Sequence, residues 1–129
     1  MNAAGILAKV GSPTIDNEAV SVLQADAEVR ELYLTAVLHR VLGIDWDTSA
    51  NLVASPDQFR PDQVQLLQAE LSNPNDSGAR YCSVLLLSRN QRSAPEVTAS
   101  LLAALKSETS RENLRAIGAA LAGVNPLTI

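Results

Sequence analysis

The chain has 129 residues, a length typical of one domain with a substantial hydrophobic core. Hydrophobic residues make up 47% of the sequence and aromatic residues only 3%, so the apolar content is mostly leucine, valine and alanine, which favours closely packed helices. The net charge of −4 argues against a nucleic-acid-binding protein, and a single histidine and a single cysteine exclude a Cys/His zinc site and an intramolecular disulfide.

The N-terminal stretch MNAAGILAKVGS has only a short apolar run, and Lys9 follows that run rather than preceding it. This pattern fits neither a secretory signal nor a transmembrane helix. We therefore expect a cytoplasmic protein that does not associate with membranes. Residues 2–10 are predicted to form a short helix that ends at Gly11.

Apolar residues then recur at spacings of three and four, which predicts a series of amphipathic helices. Pro61 is suited to the first position of one of them. The helix predicted from Glu28 to Leu42 is apolar over most of its circumference, so we expect it to be central, with neighbours on two sides. The predicted segments are 16–24, 28–42, 61–71, 79–88, 94–105 and 109–124.

Residues 43–60 form an irregular linker in which Asp45 and Asp47 are predicted to cap a short helix. The two carboxylates flank Trp46, the only tryptophan. Carboxylate pairs bind cations or perform acid–base chemistry. No third acidic residue is close in sequence, so we interpret both as capping and turn residues. For Trp46, core packing is the preferred interpretation and an interface anchor is the alternative.

Short sequence motifs also predict the turns and helix starts in the second half of the chain. The stretch SNPNDSG at 72–78 predicts a turn. The run YCSVLLL at 81–87 is compatible with a buried strand, but we interpret it as helix because a lone strand has no pairing partner. Capping-box spacings, S-x-x-E at 93–96 and T-x-x-E at 109–112, are predicted to begin the last two helices.

An internal repeat of helical hairpins runs through the sequence. Pro61 and Pro95 each begin a predicted helix and lie 34 positions apart. Apolar positions in these two hairpins match each other at an offset of 34 or 33 residues. Positions in an earlier hairpin match positions in the last hairpin at an offset of 80 residues. The matched pairs are Leu67/Leu101, Leu71/Leu105, Tyr81/Leu114, Val84/Ile117, Leu34/Leu114, Val37/Ile117, Val41/Leu121 and Gly43/Gly123.

Three hairpins of this length resemble HEAT or armadillo repeats over roughly three quarters of the chain. Repeats of that family commonly contain a proline in the first helix, an aspartate in the turn and a basic residue early in the second helix. The first copy here lacks the proline, and the linker interrupts the period. The matching residues are Pro61 and Pro95, then Asp76 and less closely Ser110, then Arg80 and Arg111 or Arg115.

The resemblance implies an all-α fold, a short right-handed α-solenoid of antiparallel hairpins at 16–43, 61–90 and 94–124. We expect one domain over residues 1–129. An irregular helical bundle is the alternative, because it would bury the same leucines.

The function expected from this resemblance is a non-enzymatic protein–protein interaction module, acting as an adaptor, a scaffold or an immunity-type inhibitor, without a cofactor or metal. In a solenoid the second helices line one face, on which arginines, Arg92 among them, would form a stripe for an acidic peptide or a phosphate backbone. A solvated face balanced by glutamates is the simpler interpretation of the same arginines. The candidate partner-binding residues are Arg80, Arg89, Arg111, Arg115 and Trp46.

Three further residues have structural interpretations. His39 is expected on the polar side of its helix in a solvated or hydrogen-bonded role. Cys82 is expected to be a buried, inert thiol. Gly118 falls within a predicted helix, where a close helix approach would compensate for its low helix propensity.

Two other functions are left open. The apolar ending at 124–129 lacks a polar capping helix, so the chain is alternatively a fragment or subunit of a larger helical-repeat assembly. This end is then expected to self-associate or to dock a partner. A nucleic-acid-binding or phosphate-binding repeat using the arginine stripe is the other alternative.

Overall fold

The computed structural model describes residues 20–55, 58–89 and 94–128, and every regular element in these ranges is helical. The predicted all-α fold is therefore confirmed for the described residues. The helix predicted over 2–10 and the cap predicted at Ser93 lie outside them. The elements are helical turns at 20–25, α1 (Ala27–Leu42), α2 (Trp46–Ala54), α3 (Pro61–Glu70), α4 (Ser77–Arg89), α5 (Ala94–Ser107), α6 (Arg111–Leu121) and a 3-10 helix (Pro126–Thr128).

Two predicted helix starts agree with the structure. Pro61 occupies the first turn of α3, where its fixed φ is compatible with a helix and its missing N–H is not needed. Asp45 caps α2, because its carboxylate accepts a hydrogen bond from the Thr48 amide at 3.1 Å. The short helix predicted within residues 43–60 is thus present.

The start of α6 differs from the prediction by one residue. Ser110, not Thr109, is the N-cap, and its hydroxyl accepts a hydrogen bond from the Asn113 amide at 3.4 Å. Glu112 does not close a capping box here. Instead the Glu108 carboxylate accepts hydrogen bonds from the amides of Thr109 and Ser110, both at 3.0 Å. Adjacent threonine and serine are both good caps, so the local sequence does not distinguish them.

Helix α4 is the centre of the described fold. It packs against α1, α3, α5 and α6, and every residue from Ser77 to Leu87 is buried. The run at 81–87 lies within this helix, which confirms the helical interpretation over a strand. Gly78, predicted to end the preceding turn, is already inside the helix, and Tyr33 of α1 packs against it.

The helix from Glu28 to Leu42 packs against more than one neighbouring helix, as expected, but it is less enclosed than α4. Helix α1 packs against α2, α3 and α4, but its Val29 and Leu32 are 37% and 60% exposed. Of the two helices that are apolar on several sides, α4 rather than α1 is surrounded by neighbours.

The matched repeat positions share some local features and differ in others. Gly43 and Gly123 both have positive φ, +65° and +77°, and both follow the end of a second helix. The pairs Leu67/Leu101 and Val84/Ile117 are buried at both positions. In contrast, Leu71 is 5% exposed whereas its match Leu105 is 38% exposed.

The close helix approach expected at Gly118 is wrong. A Cβ added to this glycine would meet no atom of a neighbouring helix within 4 Å. The glycine therefore lies at an open position of α6, and helix packing does not require its small size.

Candidate functional site

Arg80 is a structural residue of the interior. It is 8% exposed, and its Nε lies 3.0 Å from Oε1 of Glu108, a side chain that is itself 2% exposed. The Arg80 guanidinium also donates to the Asn73 carbonyl oxygen at 2.7 Å. Arg80 therefore links the turn before α4 to the turn before α6, and the expectation that it is exposed for a partner is wrong.

The remaining arginines do not form the predicted stripe. Arg111 and Arg115 are exposed one turn apart on α6, and Arg115 lies 3.7 Å from the Glu112 carboxylate. The neighbouring α4 is buried from Ser77 to Leu87, so it presents no exposed row of side chains between them and Arg89. Arg92 lies outside the described residues.

Trp46 is 45% exposed at the first position of α2, so the preferred interpretation of core packing is wrong. Its ring lies edge-on to that of His39, with centroids 6.0 Å apart and planes at 60°. His39 is exposed, and its Nδ1 lies 2.6 Å from the Ile44 carbonyl oxygen, which confirms the hydrogen-bonded role. Since the acceptor is a carbonyl, Nδ1 carries the proton.

Cys82 is fully buried in α4, and this burial raises the pKa of its thiol. The buried position predicted for it is confirmed. Over 20–55, 58–89 and 94–128, no three or more His, Cys, Asp or Glu side chains are grouped so that they could hold a metal ion. None of the helices in these ranges combines the length and apolar character needed to cross a membrane.

A groove of about 670 Å³ lies where the C-terminal ends of α4 and α6 meet the first half of α5. We call it the α4–α6 groove. Most of its described lining is apolar or small. The described lining residues are Leu87, Ser88 and Arg89 from α4, Val97, Thr98 and Leu101 from α5, and Ala120, Gly123, Val124, Asn125 and Pro126 from the end of α6 onward.

One wall of the groove depends on how α6 ends. Gly123 has a φ of +77°, and its amide donates to the Ala120 carbonyl at 3.1 Å. The Val124 amide donates to the Ala119 carbonyl at 2.8 Å. This pair of bonds is a Schellman motif, which reverses the chain and satisfies the last carbonyls of the helix. Val124 is left 44% exposed at the groove.

Arg89 sets the charge of the groove. It is half-buried in the last turn of α4, and it is the only charged residue among the described lining residues. It makes no ion pair with any described residue. A guanidinium with no ion-pair partner among the described residues, next to apolar side chains, is complementary to a ligand that carries a carboxylate next to an apolar group.

The sequence identified Arg89 as a candidate but not the groove around it. Its walls on α4 and at the end of α6 are more than thirty positions apart in the sequence, and their meeting is not a local property. The signal available was the apolar ending after Gly123, which the sequence interpretation assigned to self-association or to docking of a partner.

Comparisons with known proteins found no similar sequence or structure. The chain matches no protein-family model, no curated protein and no solved structure. A functional conclusion for this chain therefore depends on its own residues.

Proposed function

We propose that this chain is a non-enzymatic protein–protein interaction module that binds a short segment of another protein in the α4–α6 groove. The observation that carries this proposal is Arg89, which makes no ion pair with any described residue and lies beside described lining residues that are all uncharged. The partner segment would place an apolar side chain in the groove and an aspartate or glutamate against Arg89.

The two parts of the groove have different roles in this proposal. Burial of apolar surface contributes about 25 cal/mol per Å². Val124, which is 44% exposed, provides apolar surface for a partner side chain, whereas Leu87 and Val97 are already buried in the fold. The Arg89 guanidinium sets the register and selects the sign of the partner's charge.

Three candidate reactive side chains, Cys82, His39 and Asp45, have structural roles, which supports binding rather than catalysis. Cys82 is enclosed within α4, and His39 is hydrogen-bonded to the Ile44 carbonyl. Asp45 caps α2. None of these three residues lines the α4–α6 groove.

The polar contacts between hairpins support a fold of stacked hairpins. Tyr33 of α1 donates to Asp76, just before α4, at 2.7 Å. Arg80 of α4 pairs with Glu108, just before α6. Each contact joins a second helix to the turn of the next hairpin, as in repeat proteins. Because α4 is buried throughout 77–87, we propose a closed stack rather than an open solenoid.

The alternative of phosphate-backbone binding has less support. The net charge is −4, and Arg80 is paired in the interior. Only Arg111 and Arg115 present an exposed basic pair on α6, and Glu112 lies beside Arg115. An adaptor, a scaffold and an inhibitor each fit a peptide-binding groove.

Selection from a displayed library of random peptides tests the proposal. We expect the wild type to enrich peptides in which an apolar residue neighbours an aspartate or glutamate. The variant Arg89→Glu should instead enrich peptides with lysine or arginine at the acidic position, because the charge of the groove is reversed. Arg111→Glu is the matched control, since it reverses an exposed arginine outside the described groove lining.

A second variant tests the apolar part. Val124 is exposed, so Val124→Asp should leave the helical circular dichroism spectrum unchanged. The same variant should weaken the binding of the selected peptides at least tenfold. Failure of the wild type to enrich any peptide class, or an unchanged preference in Arg89→Glu, would overturn the proposal.

A further inference from the structure

Helix α1 has two apolar faces, and the fold covers only one. The covered face contains Leu34, Val37 and Leu38, none of which is more than 3% exposed. The other face includes Val29 and Leu32, which are 37% and 60% exposed. This second face accounts for the wide apolar character that the sequence assigns to the helix.

The exposed face forms a continuous seam. Val29, Leu32, Ala36 and His39 are all exposed and recur at spacings of three and four, which places them along one side of the helix. Trp46 extends the line beyond α1, because its ring lies against that of His39 and is also exposed. We call these five residues the α1 seam.

The charges beside the seam differ between its two halves. Asp26 and Glu28 are exposed at the N-terminal end, and Arg40 is exposed at the C-terminal end. Arg40 pairs with Glu70 of α3, yet its side chain stays 52% exposed. Asp26 is the N-cap of α1, where its carboxylate accepts hydrogen bonds from the amides of Glu28 and Val29, so the acidic and basic groups lie at opposite ends of the helix. Asp47 lies beyond this half, on α2.

We propose that the α1 seam is a homodimer interface in which two copies of α1 pack antiparallel about a two-fold axis near residue 34. This arrangement brings Asp26 of one copy towards Arg40 of the other, twice, whereas a parallel pair would oppose like charges. It is self-complementary in charge, which favours a second copy of this chain as the occupant.

The antiparallel register is also complementary in size. Leu32 of one copy faces Ala36 of the other, so a large side chain meets a small one on both sides of the axis. Val29 faces His39. Trp46 reaches towards the helical turns that precede the partner's α1, where Val22 is 52% exposed.

Sedimentation velocity over a concentration series tests the dimer. We expect the wild type to dimerise and Leu32→Glu to weaken the dimer at least tenfold, with the circular dichroism spectrum retained because Leu32 is exposed. Leu102→Glu is the matched control, since Leu102 is a 49% exposed leucine on α5, and it should dimerise as the wild type does. Trp46, the only tryptophan, should shift its emission to shorter wavelength on dimerisation.

Crosslinking tests the orientation. Mixing the variants Leu32→Cys and Ala36→Cys under oxidising conditions should give the mixed disulfide in preference to either symmetric one, and the buried Cys82 should not compete. Three outcomes would each overturn the proposal. They are a wild type that stays monomeric to several hundred micromolar, a Leu32→Glu variant that dimerises as the wild type does, and a preference for symmetric disulfides. Val124→Asp should leave the dimer intact, so this result is separable from the groove.

Discussion

Arg80 and Glu108 form an ion pair whose side chains are only 10% and 2% exposed. Both groups have further partners, because Arg80 also donates to the Asn73 carbonyl and Glu108 also accepts the amides of Thr109 and Ser110. Buried ion pairs are tolerated when their remaining hydrogen-bonding groups are satisfied in this way. This pair thereby connects the turns that precede α4 and α6.

Removal of one charge from this pair should strongly destabilise the fold. Glu108→Ala leaves the Arg80 guanidinium buried without its anion, and we expect a loss of about 3–5 kcal/mol in the free energy of unfolding measured with urea. Arg60→Ala is the control, since the Arg60–Asp62 pair is exposed and should contribute little. A Glu108→Ala midpoint equal to that of the wild type would contradict the structural role of the pair.

Two glycines within helices should respond to alanine in opposite directions. A Cβ at Gly78 would lie 2.9 Å from the hydroxyl oxygen of Tyr33, which the Asp76 carboxylate holds at 2.7 Å, so we expect Gly78→Ala to cost about 1–3 kcal/mol. At Gly118 a Cβ meets nothing within 4 Å, so Gly118→Ala should stabilise by about 1 kcal/mol. Thermal unfolding followed by circular dichroism measures both, and equal shifts would argue against the packing of Tyr33 on Gly78.

Both tyrosines of the chain should resist ionisation while the protein is folded. Burial raises the pKa of Tyr81 to about 12, and burial together with the hydrogen bond to Asp76 raises the pKa of Tyr33. Because the folded pKa values exceed the unfolded value of about 10, this stabilisation is complete below about pH 10 and is lost as the pH rises above it. Tyrosinate absorbance should therefore appear together with the loss of helical circular dichroism. A tyrosine that ionises near pH 10 in the folded protein would refute this.

The positions of the helices could be predicted from the sequence because the signals are local. Pro61, Asp45 and the turn residues before α4 act on residues close in sequence, and the structure retains all three signals, although α4 begins at Ser77, within the turn predicted at 72–78. The error at the start of α6, by one residue, arose where Thr109 and Ser110 offer equivalent caps.

The candidate site was predicted less well, because exposure depends on distant residues. The burial of Arg80 requires Glu108, 28 positions away, and the α4–α6 groove requires the end of α6 to fold back near α4. Neither relationship is visible within a sequence window the size of one helix.

The helical character of the described residues and the starts of most helices follow from the sequence, since periodicity and capping are short-range effects. Which apolar faces are covered follows from the packing of the helices against one another. Helices α1 and α4 are both apolar on several sides, yet α4 is enclosed from Ser77 to Leu87 while α1 exposes Val29 and Leu32. The physical reason is that burial free energy depends on the surface removed from water by the whole packing arrangement, and no single helix contains that information.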